Sequence, residues 1–291
     1  VSATLPSMGI EGVETATFNS WAMSIIRKVV RGRPFFKFHN VPTFVEEIKF
    51  SEEILNALGG WVEKQKHALD IEVVEIFKKW PGQIKSWKKA ENKAILPRLK
   101  DFAHDIKESN LPKFDKDKCL EFLKRKIFDL EDYVQDIYKL LADIVHLKNY
   151  LSPDTKLDSH LDYLKRLTEK NQAKNNLDYF DMSLILRLIQ LKNGGLPDGS
   201  GGVVLLDHLV IDEAQDFGPV EFAIMMSSVS DKRQVTIVGD VAQKILSARK
   251  FIGWNKVVSN LGMEEDSIIR LEVSFRCTVP IMTLAHKVAG D

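Results

Sequence analysis

Two short apolar runs in the last third of the chain each lead into polar residues. Leu209–Ile211 runs into Asp212, Glu213, Ala214, Gln215 and Asp216, and Val235–Val238 runs into Gly239, Asp240 and, three residues on, Gln243. A continuous apolar run of this length reads as a strand buried on both faces, the mark of a parallel sheet in an α/β protein. Such a sheet gathers the residues that follow its strands along one edge, where ligands of open α/β folds bind. One acidic end fits an ordinary polar turn equally well. A third run, Ser267–Val273, is followed by Phe275 and Arg276. Three successive ends carrying acid, amide and guanidinium are hard to assign to chance.

The texture of the chain divides its 291 residues into three parts. Residues 1–40 hold an apolar-periodic stretch in which Trp21, Ile25 and Val29 share one helical face, with Thr17 or Asn19 placed to cap it. Residues 41–175 are charged and helical in pattern; Tyr133, Val134, Ile137, Leu140, Leu141, Ile144 and Leu147 predict one amphipathic helix. Residues 176–291 open with a strongly apolar helix and the loop NGGLPDGSGG, then alternate the three apolar runs with helix-like segments. The 41 basic and 41 acidic residues cancel, so a nucleic-acid site has to be local. Cys119 and Cys277 are too few for a disulfide framework or a thiolate metal site, and no run approaches a membrane span. A cytoplasmic protein is expected. The chain starts at Val1 in already patterned sequence, which predicts a piece of something longer.

Carboxylates at the end of a buried strand are placed as nucleotide hydrolases place them. There, one holds Mg²⁺ through water and a neighbour orients the attacking water. Gln243 offers an amide to a phosphate oxygen or water, Arg276 a bidentate charge to phosphate, and Phe275 a ring to a base. A second candidate surface lies in Lys78–Lys100, where eight basic residues face Glu91 alone and Trp80 and Trp87 are interleaved. Lys85, Lys88 and Lys89 with the two rings suit a single-stranded nucleic acid. A solvated basic face over two core tryptophans fits the same pattern. His146, His208 and His286 show no ligand spacing, so no metal beyond nucleotide-bound Mg²⁺ is expected.

DEAQD (212–216), GDVAQ (239–243) and LEVSFR (271–276), in this order, resemble motifs II, III and IV of the UvrD/Rep-type superfamily 1 helicases. ATFNS (16–20) is similar to their motif Ib, with Ala16 and Asn19 in place of the usual glycine and histidine. LPSMG, LDYFD and DHLVIDEAQDFGPVE are closest to the HelD-like branch, helicase-like ATPases that act on bacterial RNA polymerase. The resemblance implies a P-loop NTPase fold: a RecA-like parallel sheet, incomplete in this chain, interrupted by a large all-helical insertion. Residues 1–40 and 176–291 would be the two parts of the RecA-like domain and 41–175 the insertion.

It further implies ATP and Mg²⁺ as cofactors. Asp212 would assist Mg²⁺ and Glu213 would be the general base. Gln243 would report the γ-phosphate, Arg276 would contact it, and Phe275 would stack on adenine. Thr17, Asn19, Gln215 and Asp216 would belong to the strand side of the site. The implied protein is a monomer moving on single-stranded DNA, alternatively a remodeller of RNA polymerase or a silent interaction fragment. No G-x-x-x-x-G-K-S/T occurs in the chain, and NGGLPDGSGG lacks the lysine. The expectation is that the phosphate loop lies upstream of Val1 and a second RecA-like domain after Asp291, so that this segment alone does not turn over ATP.

Overall fold

The computed structural model describes residues 12–32, 34–37, 41–231, 233–240, 253–262, 267–271 and 278–289. They fall into two units, Val1–Phe251 and Ile252–Asp291.

The first unit opens with α1 (Phe18–Val29), started by Thr17, whose hydroxyl accepts the Ser20 N–H at 3.2 Å. Its buried face is Phe18, Ala22, Ile25 and Ile26. After β1 (Phe35–Lys37) the chain is helical for well over a hundred residues: α2 (Thr43–Phe50), α3 (Glu52–Ile76), α4 (Pro81–Lys89), α5 (Ile95–Glu108), α6 (Lys113–Leu130), α7 (Tyr133–Ala142), α8 (Ile144–Lys148) and α9 (Leu157–Ala173). Then follow β2 (Asn176–Asp178), α10 (Asp181–Asn193), β3 (Leu209–Ile211), a single 3-10 turn at Ala214–Asp216, α11 (Pro219–Met226) and β4 (Val235–Ile237). The strands form two small parallel pairs, β1 with β2 and β3 with β4.

Helix α10 is the centre of this unit. Met182, Leu184, Ile185, Leu186, Leu188 and Ile189 are all buried, and the helix packs against α1, α3, α5, α7 and α11. A helix apolar all round belongs inside a core. Both of its ends are tied by buried charges. In its first turn Asp181 sits 2.7 Å from Lys49 of α2, which also lies 3.6 Å from Asp178. In its last turn Lys192 pairs with Asp136 of α7 and donates to the Leu130 carbonyl at 2.8 Å. Acid at the start and base at the end also match the helix dipole. Asp136 accepts two further bonds, from Gln65 Nε2 at 2.7 Å and Trp61 Nε1 at 3.3 Å, so three elements meet on one carboxylate.

Three expectations are corrected. The predicted single helix through Tyr133–Leu147 is two helices, because Asp143 ends α7 and its side chain accepts the His146 N–H at 3.0 Å to start α8. The β3–β4 pair is covered on one side only: Ile211 is buried, while Val210 is 63% and Val238 46% exposed. In the second unit, which holds α12 (Trp254–Leu261) and α13 (Val279–Ala289), residues 268–271 form no strand, and Ile269 and Leu271 are exposed. The rest of that predicted strand lies outside the described residues. Among those described, no helix is long and apolar enough to cross a membrane.

Candidate functional site

The parallel register of β3 and β4 pairs Leu209 with Val235, Val210 with Thr236 and Ile211 with Ile237. The ladder runs one step further, with Val238 N–H donating to Ile211 O at 2.8 Å and Ala214 N–H to Val238 O at 2.9 Å. Asp212 and Glu213 therefore leave the sheet beside Gly239 and Asp240.

At this edge the backbone is bent away from its ordinary range. Glu213 has φ 53°, ψ 44°, the left-handed region that a residue with a Cβ enters at a cost of about 1–2 kcal/mol. Two bonds hold it there. Its N–H donates to Asp212 Oδ1 at 3.0 Å, and its carboxylate accepts from Gln215 Nε2 at 2.7 Å. Gln215 is buried, and its other end, Oε1, accepts the Asp240 N–H at 2.9 Å. One carboxamide thus spans from the acid at the end of β3 to the backbone at the end of β4.

Gly239 makes room for this bridge. A Cβ there would lie 2.6 Å from Gln215 Oε1 and 3.0 Å from Ala214 N. Asp212 and Glu213 are both exposed, so the fixed carboxylates face solvent.

Behind the acidic turn, Gly218 N–H donates to Glu221 Oε2 at 2.9 Å and Pro219 starts α11. The Phe217 ring lies 6.0 Å from Phe18, so α1 is docked against the acidic turn. Thr17 and Asn19 are brought to this side of the unit; the Thr17 hydroxyl is used as the helix cap, and Asn19 is half-buried. Asp216 is half-buried in the 3-10 turn. Gln243, Phe275 and Arg276 lie outside the described residues.

The donor set fits a nucleotide-borne Mg²⁺. Among the described residues no three His, Cys, Asp or Glu side chains cluster as a protein cage would require. Mg²⁺ in phosphoryl-transfer sites takes one or two carboxylates and fills the rest of its octahedron with water and phosphate oxygens. An exposed Asp212 beside a fixed Glu213 supplies that much. The NGGLPDGSGG loop offers no competing phosphate cradle, since Asp198 Oδ1 already accepts the N–H groups of Ser200 at 2.7 Å and Gly202 at 3.0 Å. Those bonds hold the Asp198 carboxyl below its ordinary value.

The basic stretch resolves into two faces. Lys85, Lys88 and Lys89 are exposed on α4 and make no ion pair among the described residues. Lys78, Lys93 and Lys100 pair with Glu75, Asp101 and Glu131, which lie outside the sequence window or at its border. Trp87 is not a stacking platform. It is buried, donates Nε1–H to Asp70 at 2.7 Å, and carries the Arg98 guanidinium 3.7 Å over its ring. Arg98 is itself buried, bonded to the Trp87 carbonyl and 2.9 Å from Asp70. Trp80 is half-buried, edge-on to Phe77. Gln215 is likewise withdrawn from solvent, so its assignment to strand contact gives way to the bridge.

The sequence reading missed that bridge and the buried Lys49 and Lys192 pairs. Lysines set within apolar runs, as in EEIKF and LIQLKN, were the available signal.

A family model described as the UvrD/REP helicase N-terminal domain matches residues 1–250. The chain is 31% identical over 140 residues, 48% of its own length, to "ATP-dependent DNA helicase srs2" of Schizosaccharomyces pombe. It is 25% identical over 188 residues, 62% of its length, to "Probable DNA helicase II homolog" of Mycoplasma capricolum. These matches span 15% and 24% of those two relatives. No solved structure matches the chain significantly.

Proposed function

This chain belongs to the UvrD/REP helicase N-terminal domain family, and from that premise we propose that it is part of an ATP-driven DNA helicase or translocase of superfamily 1. The reading places the β3–β4 edge in a RecA-like nucleotide site, with residues 41–175 as a helical insertion. The observation that carries it is the Gln215 bridge, which holds Glu213 in a left-handed conformation beside the exposed Asp212 at one sheet edge. Residues kept in sparsely populated conformations by their surroundings cluster at functional sites.

In this reading Asp212 would hold Mg²⁺, which would supply charge neutralisation, and Glu213 would orient a water as its base. When bound, Mg-ATP supplies the scissile phosphoryl group and the charge that neutralises its oxygens. Gln215 keeps Glu213 from rotating away, so the base is oriented before the nucleotide arrives. Gln243 would sense the γ-phosphate, Arg276 would neutralise its charge, and Phe275 would stack on adenine, as the family resemblance implies. Thr17, Asn19 and Asp216 contribute on the strand side, and Lys85, Lys88 and Lys89 contact backbone phosphates. Single-stranded DNA is the proposed track.

Turnover belongs to the longer protein, since the β/γ-phosphates need an anchor that no G-x-x-x-x-G-K-S/T provides here. The test is ATP hydrolysis by that protein with and without single-stranded DNA. DNA-stimulated turnover is expected. Turnover indifferent to DNA and responsive to RNA polymerase would overturn the translocase reading in favour of polymerase remodelling. Glu213→Gln should lower turnover by about 10²–10⁴-fold with nucleotide binding kept; hydrolysis at the parental rate would remove Glu213 from the role of base.

A further inference from the structure

A cleft of about 270 Å³ opens between α9 and the β1–β2 pair, lined by none of the residues assigned to nucleotide or strand above. Helix α9 and the turn after it present Tyr163, Leu167, Lys170, Asn171 and Lys174 to it, a spacing that keeps one helical face toward the cleft. The strand pair contributes Lys37, the last residue of β1, and Asn176, the first of β2.

The charges here are unbalanced. Lys37, Lys170 and Lys174 form no ion pair with any described residue; the Lys37 ammonium lies only over the Phe35 ring, at 5.8 Å. Two of these lysines have an ordinary use, because cations near a helix C-terminus offset its partial negative charge. That accounts for about half a unit of charge and leaves Lys37 unexplained.

The amides are the second observation. Asn171 is 6% and Asn176 8% exposed, and neither carboxamide has a hydrogen-bond partner among the described residues. Neither carboxamide is among the fully enclosed side-chain groups left without a partner, so both meet solvent and are open to bonding. Both residues line the cleft, so a ligand there can take the place of the water that meets their amides. The Tyr163 ring, edge-on to Phe44 at 5.5 Å, closes one side with apolar surface.

We propose that this cleft binds a phosphate group borne on a nucleoside-sized body, with Lys37, Lys170 and Lys174 neutralising the phosphate and Asn171 and Asn176 bonding the body it carries. Three cations select a multiply charged anion, and carboxamides that both donate and accept suit a base or sugar edge. The volume exceeds what a bare phosphate fills and falls near the lower end of small-ligand sites. The phosphate can come from a free nucleotide or from the end of a nucleic-acid strand. The site is independent of the Asp212–Glu213 edge, so loss of one reading leaves the other standing.

Calorimetric titration of the 291-residue chain with AMP, inorganic phosphate and a 5′-phosphorylated oligothymidylate separates the sources. AMP binding that drops at least about tenfold in Lys37→Gln/Lys170→Gln/Lys174→Gln assigns a free nucleotide. Strand binding alone, with the slope of log affinity against log salt falling by about 2 in that variant, assigns a strand end. The three lysines are exposed, and an unchanged circular dichroism spectrum confirms that the variant is folded. Failure of every probe to bind at low salt, or equal affinity in the variant, overturns the proposal. Inorganic phosphate binding as tightly as AMP overturns the assignment of an organic body.

Discussion

Replacing Gln215 by alanine cuts both hydrogen bonds that tie the end of β3 to the end of β4. The bond to the Glu213 carboxylate is charge-assisted, a type worth about 1.5–3 kcal/mol when shielded, but Glu213 is exposed and water replaces much of it, leaving about 1 kcal/mol. The bond accepted from Asp240 N–H is neutral and contributes about 1 kcal/mol. A buried carboxamide also leaves a void where it met Gly239, which adds part of a further kcal/mol or so. The expected loss is about 2–3 kcal/mol, read from urea denaturation followed by tryptophan fluorescence.

Gln215→Glu refines the test. It keeps an acceptor for Asp240 N–H and sets a second carboxylate against Glu213. Repulsion raises the folded-state pKa values of that pair above their unfolded ones. The variant is therefore penalised at neutral pH and recovers as pH falls through the carboxylate range toward about 4. Gln215→Ala within about 0.5 kcal/mol of the parent, together with a pH-independent Gln215→Glu, would refute the bridge as the device that fixes Glu213.

Other perturbations probe the core and the basic face. Lys192→Met strands the buried Asp136 carboxylate and should cost about 3–5 kcal/mol; adding Asp136→Leu should restore only part of it, since Trp61 and Gln65 lose their acceptor. A restoration to full parental stability would show that the network contributes nothing beyond its charges. Burial raises the Asp181 carboxyl above its ordinary 3.8, against the pull of Lys49. A raised acid contributes stability that is present below the unfolded value and lost as pH climbs through the folded one, so Asp181→Asn should gain on the parent as pH rises above about 4. A constant difference in urea midpoint across that range would rule this out. Lys85→Gln/Lys88→Gln/Lys89→Gln should weaken single-stranded DNA binding and lower its salt slope by about 2 without moving the melting temperature, whereas Trp87→Phe should lower the melting temperature and leave the slope alone. The reverse pattern would return Trp87 to the nucleic-acid surface.

How legible these features were depended on the range of the physics behind them. Strands β3 and β4 could be read because each is an apolar string with a polar exit, and they pair in parallel although the two-faced burial expected of such a pair is absent. Helix α10 could be read for the same reason. The inward turn of Trp87 was also within reach: at 100° per residue Lys85, Lys88 and Lys89 share a face and Trp87 falls opposite.

The break at Asp143 was not, since the apolar periodicity continues across it and only a local side-chain cap interrupts the helix. Nor was the role of Gln215, which exists only once two strand ends stand side by side and Glu213 has turned left-handed. Lys49 and Lys192 announced themselves as charges within apolar sequence, but their partners lie 56 to more than 100 residues away along the chain, Asp136 and Asp178 being the nearest of each set. Gln243, Phe275 and Arg276 remain assigned by resemblance.

The charges that tie down both ends of α10 set what that helix can transmit. Sliding it by one residue would move both ends by about 1.5 Å, and swivelling it would carry each ionic group off its partner. Asp181 and Lys192 would then lose their partners together, inside a core where neither finds water. The helix is thus keyed in register as well as packed. A displacement of α11, which abuts it and follows directly from the acidic turn, is passed to α3, α5 and α7 as motion of a stiff rod about 20 Å long rather than absorbed as slip.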